Sequence, residues 1–359
     1  MFNYRRLVLG RKRRGLTARA LALAIGVSPV TISRLENGVH EPEEDTIQAI
    51  VRALDFPRGF FFADDFDELP AEAVSFRSLT SMTARERDAA LAAGALAYLF
   101  HDWVEQRFNL PMADLPNLGG EASPEAAAQA VREHWGLGQQ PIPHVIKLLE
   151  AKGVRVFSLC EDTQSVDAFS CWRNGTPFVF LNTLKSAERS RFDAAHELGH
   201  LVLHRHGVMQ DSRQAEIEAN QFASNFLMVA DDVSSRIRAV TSLDELVRAK
   251  KRWGVSVAAL AYRLHKLNIL SEWQNRSFNI EISSRGWRKN EPEGMEAEIS
   301  FLWPKVLASL WGERVTRDHI AAELHLPTHE LESVLFKLVR AHAEPLPSAE
   351  RKPFIRLVG

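Results

Sequence analysis

Residues 192–204 read FDAAHELGHLVLH. The core of the stretch is His196-Glu197-Leu198-Gly199-His200, with two histidines four residues apart. From Ser186 to Arg205 there is no proline and a single glycine, which predicts a helix. Residues four apart on a helix share a face, one turn apart. Two neutral imidazoles so placed reach one zinc ion at about 2.0–2.1 Å. Glu197 sits beside the first of them, positioned to take a proton from an attacking water without binding the metal itself. Gly199 leaves room for a second element to pack closely on the helix.

A catalytic zinc needs a third protein ligand and one open position. His204 continues the four-residue series, yet it lies about 12 Å along the helix axis from His196. It is therefore assigned to supporting contact or packing around the site. His206 falls just past the expected helix end and is weak for the same reason. Glu216 is the better choice. AEIEANQFASNFLM (215–228) reads as a second helix, and an antiparallel neighbour would bring its start back over the first. Glu216 and Asn220 share a face there, Glu216 as ligand and Asn220 as the hydrogen-bond partner of a histidine ring. Glu218 stands as the alternative ligand. Upstream, VRVFSL (154–159) and PFVFLN (177–182) read as strands. DAFSCWRNG between them suggests another, ending in a turn at Asn174-Gly175.

RSRFDAAHELGHLVLH followed by EIEANQFASNFLM resembles the ImmA/IrrE family of metallopeptidases, over about residues 130–235. The resemblance implies a zincin-like α+β domain in a gluzincin-like arrangement. Its metal ligands fall on His196, His200 and Glu216, and its catalytic glutamate on Glu197. Val229 follows Met228 where members often carry proline, away from the site. The resemblance implies zinc as cofactor, with manganese as the other candidate, and a protein substrate such as a repressor. Candidates for stabilising the developing oxyanion are His204, His206 and Tyr262.

The amino-terminal segment has a different character. Residues 1–40 carry eight Lys or Arg against one acid, Glu36, and residues 41–70 carry nine acids against Arg52 and Arg58. A compact basic end predicts a polyanionic partner. In TARALALAIGVSPVTISRLENG (17–38), Thr17 caps one helix, Gly26 permits a turn, and Ser28 caps a second helix with Pro29 at its first position. Two helices joined by a glycine-containing turn make a helix-turn-helix. The start of its second helix enters the major groove, which nominates Ser28, Val30, Thr31, Ser33 and Arg34 for DNA contact. Arg5, Arg6, Arg11, Arg13 and Arg14 are expected on phosphates. The stretch resembles the XRE-type helix-turn-helix of phage and bacterial repressors, over residues 3–62.

The remaining segments read as scaffold. Residues 83–109 form one long helix, and SPEAAAQAVREHWGLG and PHVIKLLEAKG form two more. Residues 243–270 repeat a helix–turn–helix pattern with Lys250, Lys251, Arg252, Arg263 and Lys266, where packing is favoured over DNA contact. SEWQNRSFNIEISSRGWRKNEPEG (271–294) reads as mixed strand and loop. Residues 315–340 are a third, charge-balanced pattern of this kind, suited to regulation or dimerisation.

The expected fold is mostly α with a small β-sheet, an α+β chain. A five-helix DNA-binding domain (1–65) leads through a helical linker (66–125) to the peptidase domain (126–270) and a helical C-terminal region (271–359). No apolar run approaches the ~20 residues that cross a bilayer, and the basic start lacks the apolar core of a secretory signal. Cys160 and Cys171 form no close pair or disulfide framework, so a cytoplasmic setting is expected. The function expected is DNA-binding transcriptional regulation coupled to zinc-dependent proteolysis, as a homodimer on paired half-sites. A non-proteolytic ligand or metal sensor and an antitoxin-type repressor are the alternatives.

Overall fold

The computed structural model describes residues 1–69, 75–76, 83–119, 123–159, 168–205, 212–335, 338–339 and 356–357. Cys160 and His206 lie outside them. The amino-terminal unit holds α1 (Tyr4–Arg13), α2 (Ala18–Ile25), α3 (Pro29–Glu36) and α4 (Glu44–Leu54), and closes on a 3-10 turn at Arg58–Phe62 where a fifth α-helix was expected. Then come β1 (Ser75–Phe76), α5 (Ala84–Glu105), β2 (Phe108–Asn109), α6 (Pro124–His134) and α7 (Val145–Ala151). The central part contains β3 (Arg155–Leu159), β4 (Ala168–Arg173), β5 (Thr176–Asn182), α8 (Ala187–Leu203) and α9 (Ser212–Leu227). The chain continues through α10 (Ala230–Arg236), α11 (Leu243–Lys250), α12 (Val257–Lys266), α13 (Glu272–Ser284), α14 (Leu302–Gly312), α15 (Arg317–Glu323), α16 (Thr328–Leu335) and β6 (Arg356–Leu357). The whole is mostly helical with a small sheet. No single helix among the described residues is long and apolar enough to cross a membrane.

The sheet runs in the order β1-β4-β5-β3. β4 and β5 form an antiparallel hairpin closed at Asn174 and Gly175, both at positive φ (50° and 79°), as the tight turn requires. β3 joins β5 in parallel, and Ser75 of β1 pairs opposite Ser170 on the outer side of β4. Successive side chains of a strand alternate between faces, and here both faces are apolar. Val156, Ala168, Val179 and Leu181 belong to one core, with α8, α9, α6 and α7. Phe157, Phe169, Phe178 and Phe180 belong to the other, with Tyr98, Phe100 and Trp103 of α5 and Trp303 of α14. The sheet is thus a filled layer between two helical layers, which is why its strands read as near-continuous apolar runs.

α5 is apolar on nearly every side, the mark of a buried helix. Its Ala90, Ala93 and Ala97 face the sheet, whereas Ala92, Ala95 and Leu96 join the core of the amino-terminal unit. The segment expected as a linker therefore supplies a shared wall. The long helix stops at Glu105, short of the expected Asn109, where Phe108 and Asn109 pair with β6.

Residues 272–284 correct the strand-and-loop expectation. Ser271 and Gln274 form a reciprocal capping box, and Phe278 and Ile282, four apart, are buried as one helical stripe. The basic residues of 243–266 are largely spent on packing. Lys250 Nζ donates to Glu188 at 2.8 Å in the interior, Arg252 pairs with Asp232, and Arg263 Nε donates to the Met228 carbonyl just beyond α9.

Glu150, at the end of α7, joins the C-terminal helices to this core. It is 1% exposed. Its carboxylate accepts from Ser300 Oγ and from the backbone N–H groups of Phe301 (2.7 Å) and Leu302 (2.9 Å), at the start of α14. Burial pushes this carboxyl up from 4.5 to about 7 despite those bonds. Folding therefore favours the protonated form, so the contribution is fully present below about pH 4.5 and is lost as pH rises through about 7. A displacement of that size is worth at most about 3 kcal/mol. Thermal unfolding of Glu150→Gln from pH 5 to pH 8 should show a visibly flatter loss of Tm than the unmodified chain; parallel curves would mean that Glu150 does not titrate in this range.

Candidate functional site

α8 begins at Ser186, whose side chain accepts from Arg189 N–H, and ends where the His204 N–H bonds the His200 carbonyl. It lies directly under β4 and β5, so its central turns are buried. His196, Glu197 and His200 are 1%, 1% and 5% exposed. α9 packs antiparallel along it. The contact is closest at Gly199, where an added Cβ would stand 3.2 Å from the Cα of Ala219 and 3.1 Å from the ring of Phe222. That approach carries Glu216, three residues before Ala219, over the two histidines.

The three side chains converge. His196 Nε2 lies 3.2 Å from Glu216 Oε2, His200 Nε2 lies 3.3 Å from Glu216 Oε1, and the two Nε2 atoms are 3.1 Å apart. Among the described residues, Glu216 Oε2 is buried without a hydrogen-bond partner, and so is His196 Nδ1. Around an ion with bonds of about 2.0–2.1 Å, a tetrahedron has ligand–ligand edges of about 3.3–3.4 Å. The observed triangle is close to one face of it. A hard carboxylate and two imidazoles, with an otherwise unsatisfied oxygen among them, fit a divalent cation such as zinc.

A chain of bonds orients His200 from behind. His204 Nε2 lies 3.0 Å from Glu218 Oε2, and His204 Nδ1 lies 3.0 Å from His200 Nδ1. A carboxylate only accepts, so His204 donates through Nε2 and its Nδ1 accepts. His200 then donates through Nδ1, and its Nε2 lone pair faces Glu216. Burial, the largest influence, lowers the pKa of His204 and keeps the ring neutral near pH 7. Glu218 is thus separated from the triangle by the His204 side chain, and the alternative that made it a ligand is corrected. His204 faces the back of His200, away from the point where an oxyanion would form. The expectation for Asn220 is also corrected. Its amide nitrogen donates at 2.7 Å to the Glu216 carbonyl, the backbone acceptor one turn back on α9.

Glu197 points up to the sheet. Ser170 Oγ, on β4, donates to Glu197 Oε2 at 2.7 Å. Sequence reading missed Ser170. The signal was present in the alternation of β4, where Ser170 shares the α8 face with Ala168 while Phe169 and Cys171 face the other way. A lone hydroxyl on an apolar inner face needs a partner.

In the amino-terminal unit, α2 and α3 cross at 115°, as in helix-turn-helix pairs. Thr17 and Ser28 cap the two helices and Gly26 makes the left-handed turn (φ 72°). Ile32 and Leu35 are buried, whereas Ser28, Val30, Ser33 and Arg34 are exposed. Thr31 is half-buried, its hydroxyl 2.9 Å from Ser28 Oγ.

The arginines of α1 are not free phosphate ligands, which corrects that expectation. Arg11 donates to Glu36 (3.0 Å) and to the Leu16 carbonyl. Arg13 Nε donates to Glu330 of α16 at 2.7 Å, and Arg14 binds both Glu330 and the Leu54 carbonyl. Arg5 pairs with Glu68, and Arg6 is buried against the Asp64 carbonyl. Their acidic partners come from elements packed on α1, up to 317 residues away in sequence, so the basic run is neutralised only on folding. On α2 and α3 the exposed basic side chains are Arg19 and Arg34.

The bonding chain behind His200 is open to test. Glu218→Gln offers His204 a donor as well as an acceptor and releases the tautomer. Zinc affinity, measured by competition with a chelator, should fall about 10–100-fold with the unfolding temperature of the metal-free protein unchanged; unaltered affinity would remove Glu218 from the site.

Residues 149–265 match the family model of the IrrE N-terminal-like domain, a peptidase family, and the matched span includes all three converging side chains and Glu197. Residues 9–61 match a helix-turn-helix family model, and the span includes α2 and α3. A search of curated proteins finds no match. The chain therefore carries one stretch similar to a helix-turn-helix family and a second similar to the IrrE-like peptidase family.

Proposed function

We propose that this protein is a DNA-binding transcriptional regulator whose central domain is a zinc-dependent endopeptidase acting on a repressor or another partner protein. The observation that carries the reading is the triangle of buried His196 and His200 with half-buried Glu216, on the helix that also carries Glu197 next to His196. His196, His200 and Glu216 would hold a zinc ion, which would supply Lewis-acid chemistry toward water and a peptide carbonyl. Glu197 takes the proton from the attacking water at its carboxylate and passes it to the leaving amine. Ser170 fixes that carboxylate by a hydrogen bond at 2.7 Å, so the base is already oriented when substrate arrives. A pure metal sensor needs ligands and has no use for an oriented general base, which favours the enzyme over the sensor.

On the DNA side, Ser28, Val30, Thr31, Ser33 and Arg34 lie at the start of α3 and along its outer side, where a recognition helix reads the major groove. Val30 is 58% exposed, as a side chain meant for a thymine methyl needs to be. Paired half-sites call for a homodimer.

Glu197→Gln should keep about one zinc per chain and unchanged operator affinity while cleavage of the partner protein falls at least about a hundred-fold. A variant that still switches a reporter promoter like the unmodified chain would replace the enzyme by the sensor. Arg34→Ala should weaken binding across DNA sequences and lower the slope of log K against log salt by about 0.9. The same slope with and without Arg34 would take it off the phosphate backbone.

A further inference from the structure

A cleft of about 510 Å³ opens beside the metal-binding triangle, between α8, α9, α12 and the stretch after α13. It begins one helical turn from the triangle on both helices. Phe192 precedes His196 by four residues on α8, and Asn220 follows Glu216 by four on the antiparallel α9, so each pair shares a face about 6 Å apart along its axis. Phe192, Ile217, Tyr262 and Trp287 make its apolar lining. Ile217 and Tyr262 are 43% and 42% exposed, although both sit over this cavity.

Ser224 lines the same cleft one further turn along α9. It is 4% exposed and its Oγ has no hydrogen-bond partner. A buried hydroxyl left unpaired carries a desolvation penalty that an occupant with a polar atom relieves. Asn220 commits its nitrogen to the Glu216 carbonyl, which leaves its amide oxygen as an acceptor. Asn220 and Ser224 are therefore two polar groups spaced by about 6 Å. Main-chain groups on one side of an extended peptide recur every two residues, at about 6.6–6.8 Å. The match favours a polypeptide over a compact metabolite, and the volume holds one large side chain with the main chain around it.

Charge narrows the class further. Of the two acids in the lining, Asp193 is paired with Lys185 at 2.9 Å and Glu291 shares Lys250, at 3.3 Å, with Glu188. Arg288 binds only the neutral Ser283 and Asn279, and Arg189 stands exposed at the rim.

We propose that this cleft is the substrate subsite that takes a large apolar side chain of a polypeptide, in a segment with an acidic residue next to it. The assignment rests on the peptidase reading and names its substrate class.

Binding to the zinc-loaded Glu197→Gln protein tests it without turnover. The probes are blocked dipeptides, N-acetyl-Asp-Leu-amide and N-acetyl-Gly-Gly-amide, with free leucine as the metabolite control. Affinity is followed by calorimetry and by the fluorescence of Trp287, with Trp287→Phe as the spectral control. The Asp-Leu peptide should bind at least about ten-fold tighter than Gly-Gly, since burying a leucine side chain is worth more than one factor of ten. Ala259→Trp, which fills the cleft, should abolish that preference. Ser224→Ala, which leaves the shape intact, should weaken the Asp-Leu peptide about three- to ten-fold. Equal binding of the two peptides, or binding of free leucine in preference to both, overturns the subsite. The two ideas fail separately. An unmodified protein that binds the Asp-Leu peptide selectively but cleaves no protein keeps the subsite and loses the peptidase. One that cleaves proteins with a bond preference unmoved by Ala259→Trp keeps the peptidase and loses the subsite.

Discussion

Gly199 has no side chain, and the backbone of α9 uses the space that one would fill. With Ala219 Cα only 3.2 Å from where a Cβ would stand, the two helices meet almost backbone to backbone. Glu216 reaches His196 and His200 because of this contact, and Glu218, two residues on, is turned toward His204 instead. The closeness of one packing contact thus sorts two acids and three histidines into an inner triangle and a bonded chain behind it. A side chain at position 199 would separate the helices and with them the ligand set, while leaving each helix intact.

Burial gives these groups their chemical character. Beneath a sheet packed on both faces, water is scarce, and electrostatic interactions are stronger than at the surface. Glu216 lies against two imidazoles there, and Glu197 is held by the hydroxyl that β4 turns inward. The opposite face of the same strand shows how different the outcome is without such partners. The Cys171 thiol, enclosed among aromatic rings and 3.0 Å from the Tyr98 hydroxyl, is pushed up to about 12 by burial and is inert by comparison.

The amino-terminal unit is held to the rest by charge as well as by α5. Glu330 is 1% exposed and binds Arg13 and Arg14 together. A buried pair of this kind adds little net stability, but removing one partner strands the other charge in the interior. It therefore fixes the geometry between α1 and α16 more than it adds strength. What remains on the outer side of α3 is a short surface whose exposed basic side chain is Arg34.

The residues themselves settled whatever depends on near neighbours in the chain. Helix caps at Thr17 and Ser28, the hairpin turn at Asn174-Gly175, and the four-residue spacing of the histidines all follow from local geometry, and the site's inner members were legible from them. The capping box at Ser271 was equally local, and α13 was misread because its apolar stripe is short. Tertiary packing alone decided the rest. Ser170 meets Glu197, Glu218 turns to His204, and the arginines of α1 find Glu330 only because distant segments are brought together. A charge or hydroxyl has the same appearance in sequence whether it faces solvent or a partner hundreds of residues away, and the difference comes from desolvation that exists only in the folded chain.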